Sequence, residues 1–180
     1  LTGGAGNDDL TGGSGNDTFV VDYGADSIAD LSGSDILQLS AGATVTATVT
    51  ANLVLGAGSN NAAALADAAL NTTGFDVDLS AITSGRGVTV IGSSSTATIS
   101  LTGTSADDDL TGGARADTLR GGSGGDRLVG GSGDDTFLYS AGSEIKGDAV
   151  LGGAGSGDAI KLDTAGTYDF GNFLNQTSGI

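Results

Sequence analysis

Aspartate recurs at a fixed interval in two stretches of this chain. Asp8, Asp17, Asp26 and Asp35 stand nine residues apart, and so do Asp108, Asp117, Asp126 and Asp135. Two residues after each comes an apolar side chain: Leu10, Phe19, Ile28 and Leu37 in the first stretch, Leu110, Leu119, Leu128 and Phe137 in the second. Two residues before most of them comes glycine. The fullest copies run Gly3 to Thr11 and Gly12 to Val20, with counterparts at Gly121 to Val129 and Gly130 to Leu138. A glycine-rich half of such a unit makes a turn that no side chain obstructs, and the remaining residues make a short strand with one inward apolar side chain. One unit has nothing to bury that side chain against. Stacking units at a strand spacing of about 4.8 Å pairs the backbones in parallel and builds a continuous apolar column. A fixed period of this kind marks a solenoid, whereas a flexible Gly/Ser linker would have no reason to hold Leu or Phe at every ninth place. Stacking also superimposes the aspartates, and like charges a few ångströms apart are costly unless a cation lies between them.

Composition narrows which cation. The formal charge is −16, from 22 acidic against 6 basic side chains, so nucleic acid is not an expected partner. Glu144 is the only Glu, which places the short carboxylates in turns rather than on a solvated helix. There is no Cys, His, Met, Pro or Trp. Missing Cys excludes disulfides, thiolate zinc sites and a Cys nucleophile, and missing His removes the usual general base and the usual transition-metal ligand, which leaves hard, oxygen-coordinated ions. No apolar run reaches the roughly 18 residues of a membrane span, so membrane insertion is not expected either. Leu1 opens and Ile180 closes the chain in mid-pattern, which reads as a segment of a longer protein.

These nonapeptides resemble the repeats-in-toxin (RTX, haemolysin-type calcium-binding) family, in which two units make one coil of a parallel β-roll and calcium ions sit between same-side turns of adjacent coils. The resemblance implies several calcium ions ligated by the sixth-position carboxylates of Asp8, Asp17, Asp108, Asp117, Asp126 and Asp135. It further implies first- and third-position turn carbonyls: Gly3 and Ala5, Gly12 and Ser14, Gly112 and Ala114, Gly121 and Ser123, Gly130 and Ser132. Fifth-position Asn7, Asn16 and Asp134 are candidates for additional oxygens. Asp26 and Asp35 keep the register without the paired leading glycines and join the candidates on register alone. Asp158 joins them out of register, at the end of a copy beginning at Gly152 that carries one extra residue. Ala106 and Arg115 replace the fourth-position glycine, where a Cβ strains any turn that needs positive φ. After Phe137 the pattern slips, and Glu144 stands at the expected aspartate place.

The expected fold class is all-β: a calcium-bound parallel β-roll or β-solenoid with irregular coils and one short helix. Residues 1–44 form a first calcium-binding block, 45–101 an irregular solenoid spacer, 102–161 a second block, and 162–180 the start of a capping or following segment. Within the spacer, Val45 to Val49, Phe75 to Leu79, Val88 to Ile91 and Ala97 to Leu101 alternate as half-buried strands do. Ala62 to Leu70 reads as the helix. Asp76 and Asp78 read as a solvated strand face. Phe170, Phe173 and Leu174 are expected to cover the open end of the second roll, and Arg115, Arg120 and Arg127 to neutralise neighbouring aspartates.

The function these expectations describe is a calcium-ordered structural and folding module, not an enzyme, in a secreted or cell-surface bacterial protein. The Ala, Thr, Ser and Gly richness and the two blocks separated by Thr/Val strands resemble RTX-type surface-layer proteins, which implies a cell-surface location, neighbouring copies in a lattice as partners, and export from a Gram-negative cell by type I secretion. The alternative is the C-terminal folding and secretion module of an RTX exoenzyme or toxin.

Overall fold

A computed structural model describes residues 1–62, 68–140 and 144–163. The described chain is all-β, a parallel solenoid of about 7 turns. The first two coils comprise β1 (Asp9–Leu10), β2 (Thr18–Val21), β3 (Gly24–Gly33) and β4 (Ile36–Leu39). The middle coils comprise β5 (Ala43–Val54), β6 (Asn60–Asn61), β7 (Ala68–Thr72), β8 (Val77–Asp78), β9 (Thr89–Ile91) and β10 (Ser100–Thr102). The last coils comprise β11 (Asp109–Thr111), β12 (Thr118–Arg120), β13 (Arg127–Ser132), β14 (Thr136–Tyr139), β15 (Ala149–Ala154) and β16 (Ala159–Leu162).

One ladder runs the whole length. Leu10, Ile28, Ala47, Leu70, Val90, Leu110, Leu128 and Val150 stand in register on successive parallel strands and form one apolar column. The opposite wall changes hands part-way. In the first coils it is the three-stranded sheet β2-β4-β6, which stacks Phe19 on Leu37 and Val21 on Leu39 and Asn61. From the C-terminal half of β5 onward it is a different ladder, in which Leu53, Val77, Leu101, Leu119, Phe137 and Ile160 stack in turn. β5 carries the change because it is long enough to pair with β7 through Val45 to Val49 and with β8 through Leu53 and Val54. The core is the space between the two walls, one side chain thick, and Phe19, Phe137 and Tyr139 are its buried rings.

The helix expected over Ala62 to Leu70 is not what the structure shows for its last residues. Ala68, Ala69 and Leu70 lie in β7, paired with Val45, Thr46 and Ala47, while residues 63–67 fall outside the described set. Ala68 and Leu70 are buried, and the register of the column overrides the helical preference of Ala and Leu. No helix occurs among the described residues. Phe170, Phe173 and Leu174 also lie outside them.

Candidate metal sites in the turns

Each unmodified turn places its second- and fourth-position glycines in conformations open to glycine alone. Gly122 and Gly124 have φ of 109° and 131°, and Gly131 and Gly133 of 111° and 113°. The first-position glycine is needed for another reason. A Cβ on Gly121 would lie 2.1 Å from Asp126 Oδ2, and one on Gly130 would lie 2.2 Å from Asp135 Oδ2 and 2.5 Å from the Gly152 carbonyl oxygen. The missing side chain therefore lets the aspartate carboxylate pack directly against the glycine, joined at Gly130 by the Gly152 carbonyl of the next coil.

The aspartates form two ladders along the solenoid. In one, the backbone N–H of Asp108 donates to Asp126 Oδ1 at 2.9 Å, and that of Asp126 to Asp148 Oδ1 at 2.8 Å. In the other, the N–H of Asp117 donates to Asp135 Oδ1 at 2.8 Å, and that of Asp135 to Asp158 Oδ1 at 2.9 Å. The first block repeats the pattern, with Asp8 N–H donating to Asp26 Oδ1 and Asp17 N–H to Asp35 Oδ1. One oxygen of each carboxylate thus ties its turn to the coil before it.

The other oxygen is often left over. Oδ2 of Asp8, Asp26, Asp126, Asp135 and Asp158 is buried with no hydrogen-bond partner. Around Gly3 two such atoms converge, since a Cβ there would lie 3.1 Å from Asp26 Oδ2 and 3.2 Å from Asp8 Oδ2. Burying an uncompensated carboxylate is costly. Burial pushes the Asp126 carboxyl up to about 8 against the opposing pull of a backbone hydrogen bond, with the Asp148 and Asp108 carboxylates adding to the rise. Burial likewise raises Asp135 and Asp148 to about 6, and Asp108 also to about 6. Asp117 is raised for the same reason. Among the described residues no group of three or more acidic side chains gathers at one point. The donor set is instead pairs of carboxylates from stacked turns together with turn carbonyls, all hard oxygens. That set fits a calcium ion, which takes six to eight such ligands in flexible geometry.

A family model for the RTX calcium-binding nonapeptide repeat matches four copies of the unit, over residues 1–19 and 102–137. The chain carries RTX repeats. No curated protein and no solved structure matches it. RTX nonapeptides bind calcium ions, and the matched residues contain most of the aspartate ladder described above. Within the RTX turns, first-position Gly112, Gly121 and Gly130 are buried beside the carboxylates, with Gly3 and Gly12 half-buried in the equivalent place. Third-position Ala5, Ser14, Ala114, Ser123 and Ser132 stand exposed on the turn rim. The fifth-position side chains face the following coil: Asn7 Oδ1 accepts the N–H of Ala25 at 3.1 Å, and Asp134 Oδ1 accepts those of Gly157 at 3.0 Å and Ser156 at 3.2 Å. Asn16 is exposed. The strain anticipated at Ala106 and Arg115 does not arise, because among the described residues no non-glycine residue has positive φ and those two RTX turns take another backbone path.

Two further aspartates, outside both the nine-residue count and the candidates named from the sequence, tie neighbouring coils together. Asp148 occupies the place expected for Glu144: it is buried, takes the Asp126 N–H on Oδ1, and accepts the Tyr139 hydroxyl on Oδ2 at 2.9 Å. Glu144 instead accepts the Ser140 N–H at 2.6 Å. The signal was present in Gly147-Asp148-Ala149-Val150, a Gly, an Asp and an apolar residue two places on, displaced by an insertion that makes the coil step 22 residues long. The second is Asp30, whose carboxylate accepts the N–H groups of Gly12 at 3.0 Å and Gly13 at 2.6 Å. Of the arginines, Arg127 pairs with Asp109 at 2.8 Å and Arg120 with Asp163 at 2.5 Å, while Arg115 donates through Nε to the Thr96 carbonyl. Asp76 is tied into its wall by the Ser100 N–H at 2.7 Å.

Proposed function

We propose that this chain is a structural module of a secreted or cell-surface bacterial protein whose chemistry is calcium-coupled ordering, with no catalytic role. The observation that carries the reading is Asp126 Oδ2: a buried carboxylate oxygen with no partner, packed against a glycine where no Cβ would fit. Calcium bound there supplies the positive charge that stacked carboxylates lack. The chain's own residues hold each carboxylate in place through Oδ1, let it pack close to the turn where glycine carries no Cβ, and screen it with the apolar column. Because each turn supplies only part of a site, binding free energy becomes folding free energy. Extracellular calcium modules work with Kd of roughly 10⁻⁴ to 10⁻³ M, so the rolls stay loose in a calcium-poor cytosol and order outside, in keeping with export by type I secretion from a Gram-negative cell.

The continuous ladder, running through the middle coils without a break, supports an elongated scaffold of the surface-layer or adhesin kind over a short folding tag. Lattice contacts with neighbouring copies belong to that reading. Two measurements test the proposal. Circular dichroism of the chain with millimolar calcium and with a chelator shows loss of strand signal on chelation, and an unmoved spectrum overturns it. Electron micrographs of the full-length gene product at millimolar calcium show ordered arrays, and uniformly monomeric particles overturn the scaffold reading.

A further inference from the structure

The buried oxygens that lack a partner are not spread evenly along the solenoid. Among the described residues they belong to Asp8 and Asp26 at one end and to Asp126, Asp135 and Asp158 at the other, with none from Ser27 to Gly125. The intervening turns are built differently, and in each the protein supplies its own donors.

Asp108 and Asp117 show the contrast within one repeat block. Asp108 Oδ1 accepts the Val88 N–H at 2.7 Å, and its Oδ2 accepts the Thr104 N–H at 2.7 Å, with the Thr104 hydroxyl 3.1 Å from both oxygens. Asp117 Oδ1 accepts the Ile99 N–H at 2.9 Å, and its Oδ2 the Gly113 N–H at 2.6 Å. In both turns the second-position N–H folds onto the carboxylate of its own turn. The turns 121–126 and 130–135 instead hold second- and fourth-position glycines at positive φ, and their Asp126 and Asp135 Oδ2 atoms are orphaned. Thr104, Ala106 and Arg115, which replace glycine at these positions, cannot readily follow that path.

Further in, carboxylates give way to neutral hydroxyls. Ser59, Thr72 and Ser95 are buried at turns. Ser59 Oγ accepts the Leu37 N–H at 3.1 Å and donates to the Gly56 carbonyl at 2.9 Å. Thr72 Oγ1 accepts the Phe75 N–H at 3.0 Å and donates to the Phe75 carbonyl at 2.7 Å. Ser95 Oγ accepts the Ala97 N–H at 3.3 Å and donates to the Ala97 carbonyl at 3.0 Å. Asn61 Nδ2 donates to the Gly87 carbonyl at 2.6 Å. A hydroxyl that caps its own turn needs no counter-charge. The same coils carry complete apolar columns on both walls: Ala47, Leu70, Val90 and Leu110 on one, Leu53, Val77, Leu101 and Leu119 on the other, each no more than 1% exposed.

We infer that the coils from Ala43 at the start of β5 to Arg120 at the end of β12 form a calcium-independent centre, to which two calcium-dependent arms are joined. The inference rests on the calcium reading of the arms and assigns Asp108 and Asp117 a hydrogen-bonding role in place of ligation. On calcium withdrawal the arms open while the centre keeps its ladder, so each arm rebuilds outward from a folded template. The centre would thus be a fixed waist between two switchable ends.

Hydrogen–deuterium exchange of the whole chain, followed peptide by peptide with millimolar calcium and with a chelator, tests this. The expected result is that peptides within 3–35 and 121–162 lose protection on chelation while those within 77–119 retain it. Simultaneous loss of protection across all three regions overturns the independent centre and leaves the calcium reading standing. Unchanged protection everywhere overturns the calcium reading and the inference with it. Calcium anomalous scattering from crystals of the unaltered chain gives a second readout that needs no variant: ions are expected at Asp126 and Asp135 Oδ2, and an ion bonded to a carboxylate oxygen of Asp108 or Asp117 overturns the assignment.

Discussion

Asp126 accepts the backbone N–H of Asp108 on one carboxylate oxygen, at 2.9 Å, and keeps the other buried and unpartnered. The first contact fixes the height of one turn above the next. The second leaves a negative charge that must be offset by a metal ion or, in its absence, by a proton. A single side chain therefore sets coil spacing and metal dependence together.

Replacing Asp126 with Asn preserves the oxygen that accepts the Asp108 N–H and removes the anionic one. Isothermal titration of Asp126→Asn is expected to show fewer calcium ions bound and a shallower folding curve than the parent chain. Asp108→Asn, whose second oxygen is already taken by Thr104, is expected to leave the ion count unchanged.

Leu128 lies in the apolar column between Leu110 and Val150 and is fully buried. Removing a buried Leu side chain costs about 2–5 kcal/mol, and linkage requires more bound ligand to restore the folded state. The calcium midpoint of Leu128→Ala, followed by circular dichroism, is expected to rise. A midpoint that stays put would mean that the turns chelate calcium as independent loops.

The space beside Gly121 admits no Cβ, since the carboxylate oxygen of Asp126 lies 2.1 Å from where that atom would stand. Overpacking of this kind costs about 1–3 kcal/mol, so Gly121→Ala is expected to weaken calcium binding at that turn by roughly ten- to a hundredfold in titration calorimetry. Ser123→Ala, on the exposed rim of the same turn, keeps the carbonyl and is expected to bind as the parent does.

In chelator the pH dependence runs opposite to that of ordinary salt-bridged carboxylates. Asp126 is raised to about 8 and Asp135 and Asp148 to about 6 from the ordinary 3.8, so between those values the folded arms bind protons that the unfolded chain does not. The stabilisation is complete below the unfolded value and is lost as pH rises through the folded ones. Thermal melts of the chelated protein are expected to show firmer arms at pH 5 than at pH 8. With calcium present the same protons compete with the ion, and the calcium midpoint is expected to rise as pH falls.

Magnesium is expected not to substitute. It demands near-octahedral geometry at about 2.0–2.1 Å and gives up water reluctantly, whereas carboxylates and carbonyls drawn from two coils form a looser cage. Equal folding at matched millimolar concentrations of the two ions, read by circular dichroism, would contradict the assignment.

Much of this was legible in the residues alone. The nine-residue interval sets the length of a half-coil, and the apolar residue two places after each Asp marks the column. The glycines announce a turn that tolerates no Cβ, and the absence of His and Cys leaves a hard cation as the partner. These are local properties that recur from unit to unit, so a few neighbouring units are enough to read them. What the tertiary structure alone decided concerns how one coil meets the next. Coil steps vary from 18 to 24 residues, and the spacing within a unit carries no information about an insertion between units. Thus Asp148, not Glu144, completes the Asp126 ladder, and Ala68 to Leu70 pair as a strand because Val45 to Ala47 lie beside them. Asp108 and Asp126 share the same motif position, yet one carboxylate is hydrogen-bonded on both oxygens and the other on one. The difference lies in whether a neighbouring N–H reaches the second oxygen, and that depends on the three-dimensional path of the turn.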